Sequence, residues 1–211
     1  MNQHPLAPIL DATFPHHWQA EILPARPLIL PTRHYVYPRD AEEVERGALE
    51  VLVKLGAPSP LVRRGGGAGE SKSPSPSSTQ PFLATCALGF RDPAAPTGLW
   101  SCPNPYEICA VSGGYAYIIS TTNPESFTML PYRPVLEIRP VLTQNLLLFV
   151  GHHSILAWGP SRQAWQSEKL SSEGLTLEEI TSPILHGVGW DLMTDKEVPF
   201  TLDLETGLRI A

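Results

Sequence analysis

From residue 82 to its end, the chain alternates short apolar runs with polar or glycine- and proline-bearing breaks. Runs of strand length fall at 82–88, 106–112, 115–121, 126–131, 134–141, 145–150, 154–159, 163–169, 174–180, 184–191 and 198–204. Turn-forming letters separate them: DPAAPTG at 92–98, Gly113-Gly114, TNPE at 122–125, GPS at 159–161, SSEG at 171–174 and TDKE at 194–197. Short strands at this spacing predict an antiparallel β domain. LLLFV at 146–150 is apolar at every position, as expected of a strand covered on both faces.

Aromatic residues mark the same region in a recurring way. A strand, an aromatic, a polar turn and a second aromatic-bearing strand run from Tyr117 to Phe127, from Trp158 to Trp165 and from Trp190 to Phe200. Aligning Tyr117, Trp158 and Trp190 spaces the copies by 41 and 32 residues. A propeller blade of four strands takes about 40–45 residues. The predicted fold is therefore all-β: antiparallel sheets built from blade-like repeated hairpins, arranged as a propeller or a sandwich. A Trp-Asp dipeptide occurs once, at Trp190-Asp191, and no kelch pattern recurs.

The first third of the chain is punctuated differently. Residues 1–38 hold seven prolines, each of which fixes φ and removes a backbone donor, so this stretch reads as an extended Pro-rich arm. An edge strand within RPLILPTRHYVYP is compatible with those prolines. In DAEEVERGALEVLVKL (40–55), Asp40 suits a helix N-cap, while Leu49, Val51, Val53 and Leu55 alternate with Ala48, Glu50, Leu52 and Lys54. The expectation is a helical turn at 40–46 followed by a strand at 48–54. Residues 56–81 are rich in Gly, Ser and Pro and cannot bury enough apolar surface to offset ordering, so a flexible loop is expected there. Residues 39–211 then form a single β-repeat domain.

Composition supports short strands over long helices, because 23 Pro and 16 Gly interrupt 211 residues. The net charge of −6 arises wholly after residue 81. An acidic repeat region is the wrong sign for nucleic acid or an anionic membrane, and suits a basic protein partner. No run reaches the about 20 apolar residues of a spanning helix, and the N-terminus lacks the basic and apolar regions of a secretory signal. Three cysteines, Cys86, Cys102 and Cys109, cannot all pair within one chain, so buried reduced thiols and a cytoplasmic location are expected.

Candidate chemistry is sparse. The sequence lacks GxSxG, HExxH and both phosphate-loop glycine patterns. His152-His153 stands in GHHS between two apolar runs, and with His186 and Asp191 it forms the only catalytic candidate set; adjacent strand residues face opposite ways, which argues against chelation. No metal and no cofactor are expected. Trp100, Tyr106, Tyr132 and Trp165 are the binding candidates, provided they remain exposed, because aromatics are enriched at interface hot spots. The leading expectation is a non-enzymatic protein-interaction domain presenting a rigid acidic β-repeat surface. The alternatives are a hydrolase or sugar-active enzyme sited near the His152-His153 turn, and a structural or assembly subunit.

Overall fold

The computed structural model describes residues 7–39, 41, 47–56, 80–92 and 94–210. Most of the expected helical turn at 40–46 and of the expected loop at 56–81 lies outside those residues. The described chain is all-β, and its strands form four sheets. The first sheet has the order β2 (Trp18–Leu23), β4 (Ala48–Leu55), β5 (Phe82–Ala87), β3 (His34–Tyr37). The second has the order β1 (Ile9–Asp11), β6 (Gly98–Ser101), β7 (Glu107–Ser112), β8 (Tyr115–Ser120), β9 (Phe127–Met129). Four strands in simple succession make the third: β10 (Glu137–Val141), β11 (Leu146–Val150), β12 (Ile155–Trp158) and β13 (Gln163–Gln166). The fourth is β14 (Leu175–Thr181), β15 (Ile184–Asp191) and β16 (Lys196–Asp203), along whose edge residues 208–210 fold back through Ile210 N–H to the Thr201 carbonyl.

Side-chain parity stacks these sheets. In β7, Ile108 and Ala110 point into a core shared with Val51, Val53 and Phe82 of the first sheet. Their neighbours Cys109 and Val111 point the other way, against Leu147, Phe149 and Trp158 of the third. The third sheet repeats the arrangement: Leu148, Val150 and Ile155 face Leu185, Phe200 and Leu202 of the fourth. LLLFV is thus buried on both faces, as its composition predicts. Each such fully buried large side chain contributes roughly 1.5–3 kcal/mol. None of the three cores of described residues joins the fourth sheet to the first.

Three differences from the sequence-based expectation have physical causes. The Pro-rich arm holds the edge strand expected within RPLILPTRHYVYP, as β3, but it also supplies β1 and β2, and Phe14 and Trp18 enter two of the cores. Its strands lie at sheet edges, where a missing N–H is tolerated. Gly98–Ser101 is a strand buried at every position, although it lies where a turn and loop were expected. Trp190 is not equivalent to Tyr117 and Trp158. Those two lie in β8 and β12, each the third strand of its meander, and each faces the preceding sheet. Trp190 lies in β15, the second strand of its meander, and by parity points away from the core that holds Leu185. The residue of the fourth sheet in the third-strand, inward position is Phe200.

Candidate functional site

The turn between β11 and β12 is built around Gly151. A Cβ there would lie 2.5 Å from the Tyr132 hydroxyl, so only glycine lets that ring close over the turn. The Tyr132 hydroxyl donates to the Ser154 carbonyl and accepts from the Ser154 N–H at 3.2 Å, clamping the loop. His152 and His153 are exposed, with ring centroids 6.0 Å apart. His153 Nδ1 lies 3.2 Å from the carbonyl oxygen of Ser171. The Ser171 hydroxyl is occupied elsewhere, accepting from Trp190 N–H at 2.8 Å and from Glu173 N–H at 3.1 Å. No imidazole is therefore set to activate it.

The other catalytic candidates do not complete this arrangement. His186 lies in mid-strand, with Nδ1 3.2 Å from Thr201 Oγ1. Asp191 accepts from Met193 N–H at 3.0 Å and from the Thr194 hydroxyl at 2.8 Å, and these bonds, the Thr194 one foremost, hold its carboxyl below the usual range. It is a turn-forming residue. No hydrogen bond or ion pair among the described residues joins either of the paired histidines to His186 or Asp191. No group of three or more His, Cys, Asp or Glu among them is placed to hold a metal ion. Cys86, Cys102 and Cys109 are free and fully buried, and burial pushes all three thiols up.

The four aromatic binding candidates also separate. Trp100 is buried in the second core. Trp165 is buried in the third, its indole N–H donating to the Leu204 carbonyl at 2.7 Å. Tyr132 is the turn clamp. Only Tyr106 is exposed, at 46%, stacked on His17 with centroids 5.0 Å apart.

Two polar arrangements have no counterpart among the sequence candidates. Glu107 ties three sheets together: its carbonyl accepts from the Trp18 indole at 3.0 Å and its carboxylate from the Trp158 indole at 3.1 Å. Burial raises its carboxyl pKa, against the opposing effect of the Trp158 bond. On the outward side of the first sheet, Glu50 accepts from Arg26 Nε at 2.9 Å and from the Thr85 hydroxyl at 2.6 Å, while His34 Nε2 lies 2.9 Å from that hydroxyl. Thr85 spends its single proton on Glu50, so His34 donates to it and cannot serve as its base. With Thr85 1% exposed, the chain of groups is structural.

The best-formed surface is the outward face of the fourth sheet. Parity and register place Ile184, Val188 and Trp190 there, with Thr176 opposite Val188, Glu197 opposite Trp190 and Asp203 opposite Ile184. Ile184, Val188 and Trp190 are half-buried and belong to none of the three cores. Trp190 borders a hollow of about 380 Å³ on this face, lined by Glu173 and Glu197. It also borders a second, of about 350 Å³, reaching toward the other side, where Asp191 and Val198, of core-side parity, lie with Lys169 and Arg209. At the adjoining hairpin tip Leu192 and Met193 are 68% and 91% exposed. Apolar strips rimmed by carboxylates can hold a ligand; the same face also carries His186 and Thr201, register partners whose Nδ1 and hydroxyl lie 3.2 Å apart. Among the described residues no helix is long and apolar enough to cross a membrane. Comparison of the chain with protein-family models, with curated proteins and with solved structures finds no match in any of the three.

Proposed function

We propose that this chain is a non-enzymatic protein-interaction domain that binds a basic partner through the outward face of β14, β15 and β16. The observation that carries the reading is the Trp190 strip: half-buried apolar residues on a terminal sheet face, rimmed by Glu173, Glu197 and Asp203. An apolar centre with a charged rim is the usual anatomy of a protein interface, and an excess of carboxylates favours encounter with a basic surface. The four sheets act as successive blade-like modules of an open, propeller-like array. Supporting this are the simple succession of β10 to β13 and the third-strand aromatics Tyr117, Trp158 and Phe200, at intervals of 41 and 42 residues. Cytoplasmic residence fits the three buried free thiols.

Affinity capture with the wild-type chain and with Trp190→Ser and Glu197→Lys tests the reading. A basic partner should be retained at low salt, fade at moderate salt and be lost with both variants. Recovery of the same proteins by all three chains, indifferent to salt, refutes it.

A further inference from the structure

A different part of the molecule carries a second binding feature. A cavity of about 630 Å³ opens where the N-terminal strand passes the end of β2 and the start of β4. Its walls are mainly apolar, with Ile22, Leu23, Leu49 and Leu88 prominent. Its volume lies within the roughly 300–1,000 Å³ typical of small-molecule sites. A second hollow of about 510 Å³ adjoins it across Ala7, Leu88 and Thr97, and continues the apolar lining to Phe90 and Leu136.

Glu50, Thr97 and Ser112 are the polar residues at the larger cavity, and the side chains of two of them are engaged elsewhere. Glu50 has both oxygens occupied by Arg26 and Thr85. Thr97 Oγ1 accepts from Gly113 N–H at 3.0 Å. The third, Ser112, is 0% exposed and its hydroxyl has no hydrogen-bond partner. Its backbone is satisfied, since its carbonyl accepts from Gly89 N–H at 3.0 Å and its register partner is Tyr115. Alanine would pack equally well at this position and leave no orphan group. A buried hydroxyl without a partner is costly and calls for an explanation.

We propose that this cavity binds a small, uncharged, largely apolar molecule, and that Ser112 supplies the single hydrogen bond orienting it. The apolar walls take the body of the ligand. The carbonyl or hydroxyl of the ligand meets Ser112 Oγ. None of the described residues lining the larger cavity is a cation, so no charge there would neutralise an anionic ligand.

Nile red, an uncharged dye with a carbonyl acceptor, is a suitable probe. The wild-type chain should bind one equivalent with a blue-shifted emission, and an uncharged long-chain alcohol should displace the dye better than the matching carboxylate does. Ile22→Trp, which extends from the core-facing side of β2 into the cavity, should weaken binding more than tenfold. Ser112→Ala should weaken it roughly 2- to 12-fold, the range of one neutral hydrogen bond, with thermal melting unchanged or raised because the orphan hydroxyl is removed. Trp190→Ser, on the opposite end of the stack, should leave the dye bound. Absence of dye binding to the wild type overturns the proposal, as does binding that survives Ile22→Trp or disappears with Trp190→Ser. Equal displacement by the carboxylate overturns the ligand class. Should Ile22→Trp fail to fold, Leu49→Phe is the second filling variant and is held to the same outcome.

Discussion

Replacing Thr85 by valine keeps the shape of the side chain and deletes one oxygen. That oxygen donates to Glu50 at 2.6 Å and lies 2.9 Å from His34 Nε2, in a position 1% exposed. Glu50, 6% exposed, keeps Arg26 but loses one of its two bonds. A hydrogen bond to a charged group is worth about 1.5–3 kcal/mol. His34 is half-buried and can recover water, so it adds little to the cost. The expected loss is therefore about 2–3 kcal/mol, and at about 2–4 °C per kcal/mol for a chain of this size it lowers Tm by roughly 4–12 °C. Urea titration of the wild type, Thr85→Val, Glu50→Leu and the double variant isolates the pair. In the Glu50→Leu background the valine should cost under about 0.5 kcal/mol, because no buried carboxylate is then left short of a partner. A loss below about 0.5 kcal/mol in the wild-type background, or an equal loss in both backgrounds, refutes the assignment of Thr85 as the linking group.

Two further outcomes follow from the packing. Glu107 has its carboxyl pKa raised in the folded state, so the fold binds its proton more tightly than the unfolded chain does and loses stability as pH rises from the ordinary value of 4.5 through the folded-state value. Glu107→Gln should remove that decline, which appears as urea midpoints converging toward the acid side and separating above it; parallel midpoints across the range would contradict the burial argument. Trp158→Ala should cost roughly 3–5 kcal/mol as a core deletion, whereas Trp190→Ala, on the outward face, should cost within about 1 kcal/mol; equal losses in thermal or urea melts would restore the equivalence that the structure denies.

Much of the second half was legible because its signals are local. Alternation and turn letters locate the strands of the third and fourth sheets to within a few residues, and the Gly113-Gly114 hairpin has both residues at positive φ, 54° and 76°, as a two-residue turn of this kind requires. The strands that escaped notice depend on distant partners. Ile9 pairs with Gly98 and Trp18 with Leu55, and no period within their own few residues announces those pairings. The Trp190 misalignment has another cause: spacing between aromatics does not distinguish a second strand from a third, and a one-position change in parity exchanges core for surface. The interval from Trp158 to Phe200 is the one that joins two third-strand, inward-facing aromatics. Glu50 alternates with apolar residues and so reads as solvated, but Arg26, from the segment joining β2 to β3, pairs with it. Ser112 precedes a Gly-Gly turn, where serine is ordinarily unremarkable; only its burial exposes it as an orphan.

Stacking sheets face to face leaves two ends to finish, and this chain finishes them differently. In repeat architectures a terminal unit needs a polar or covered outer side to stay apart from other surfaces. The first sheet is finished in that way only in part: Leu83 and Thr85 on its outward side are 0% and 1% exposed and Glu50 is tied down by Arg26, while Leu23, Val36 and Leu52 stay half-buried there. The fourth sheet carries Ile184, Val188 and Trp190 on the corresponding side, all still half-exposed. A face needed only as a cap would be served by charges or a covering segment there, as at the other end. Placing a tryptophan and two β-branched residues at those positions, inside a rim of carboxylates, costs solubility without adding to any of the three cores. The outward-facing Trp190, which has no counterpart on the first sheet, where Trp18 faces the core, is the physical reason for assigning binding to the last sheet.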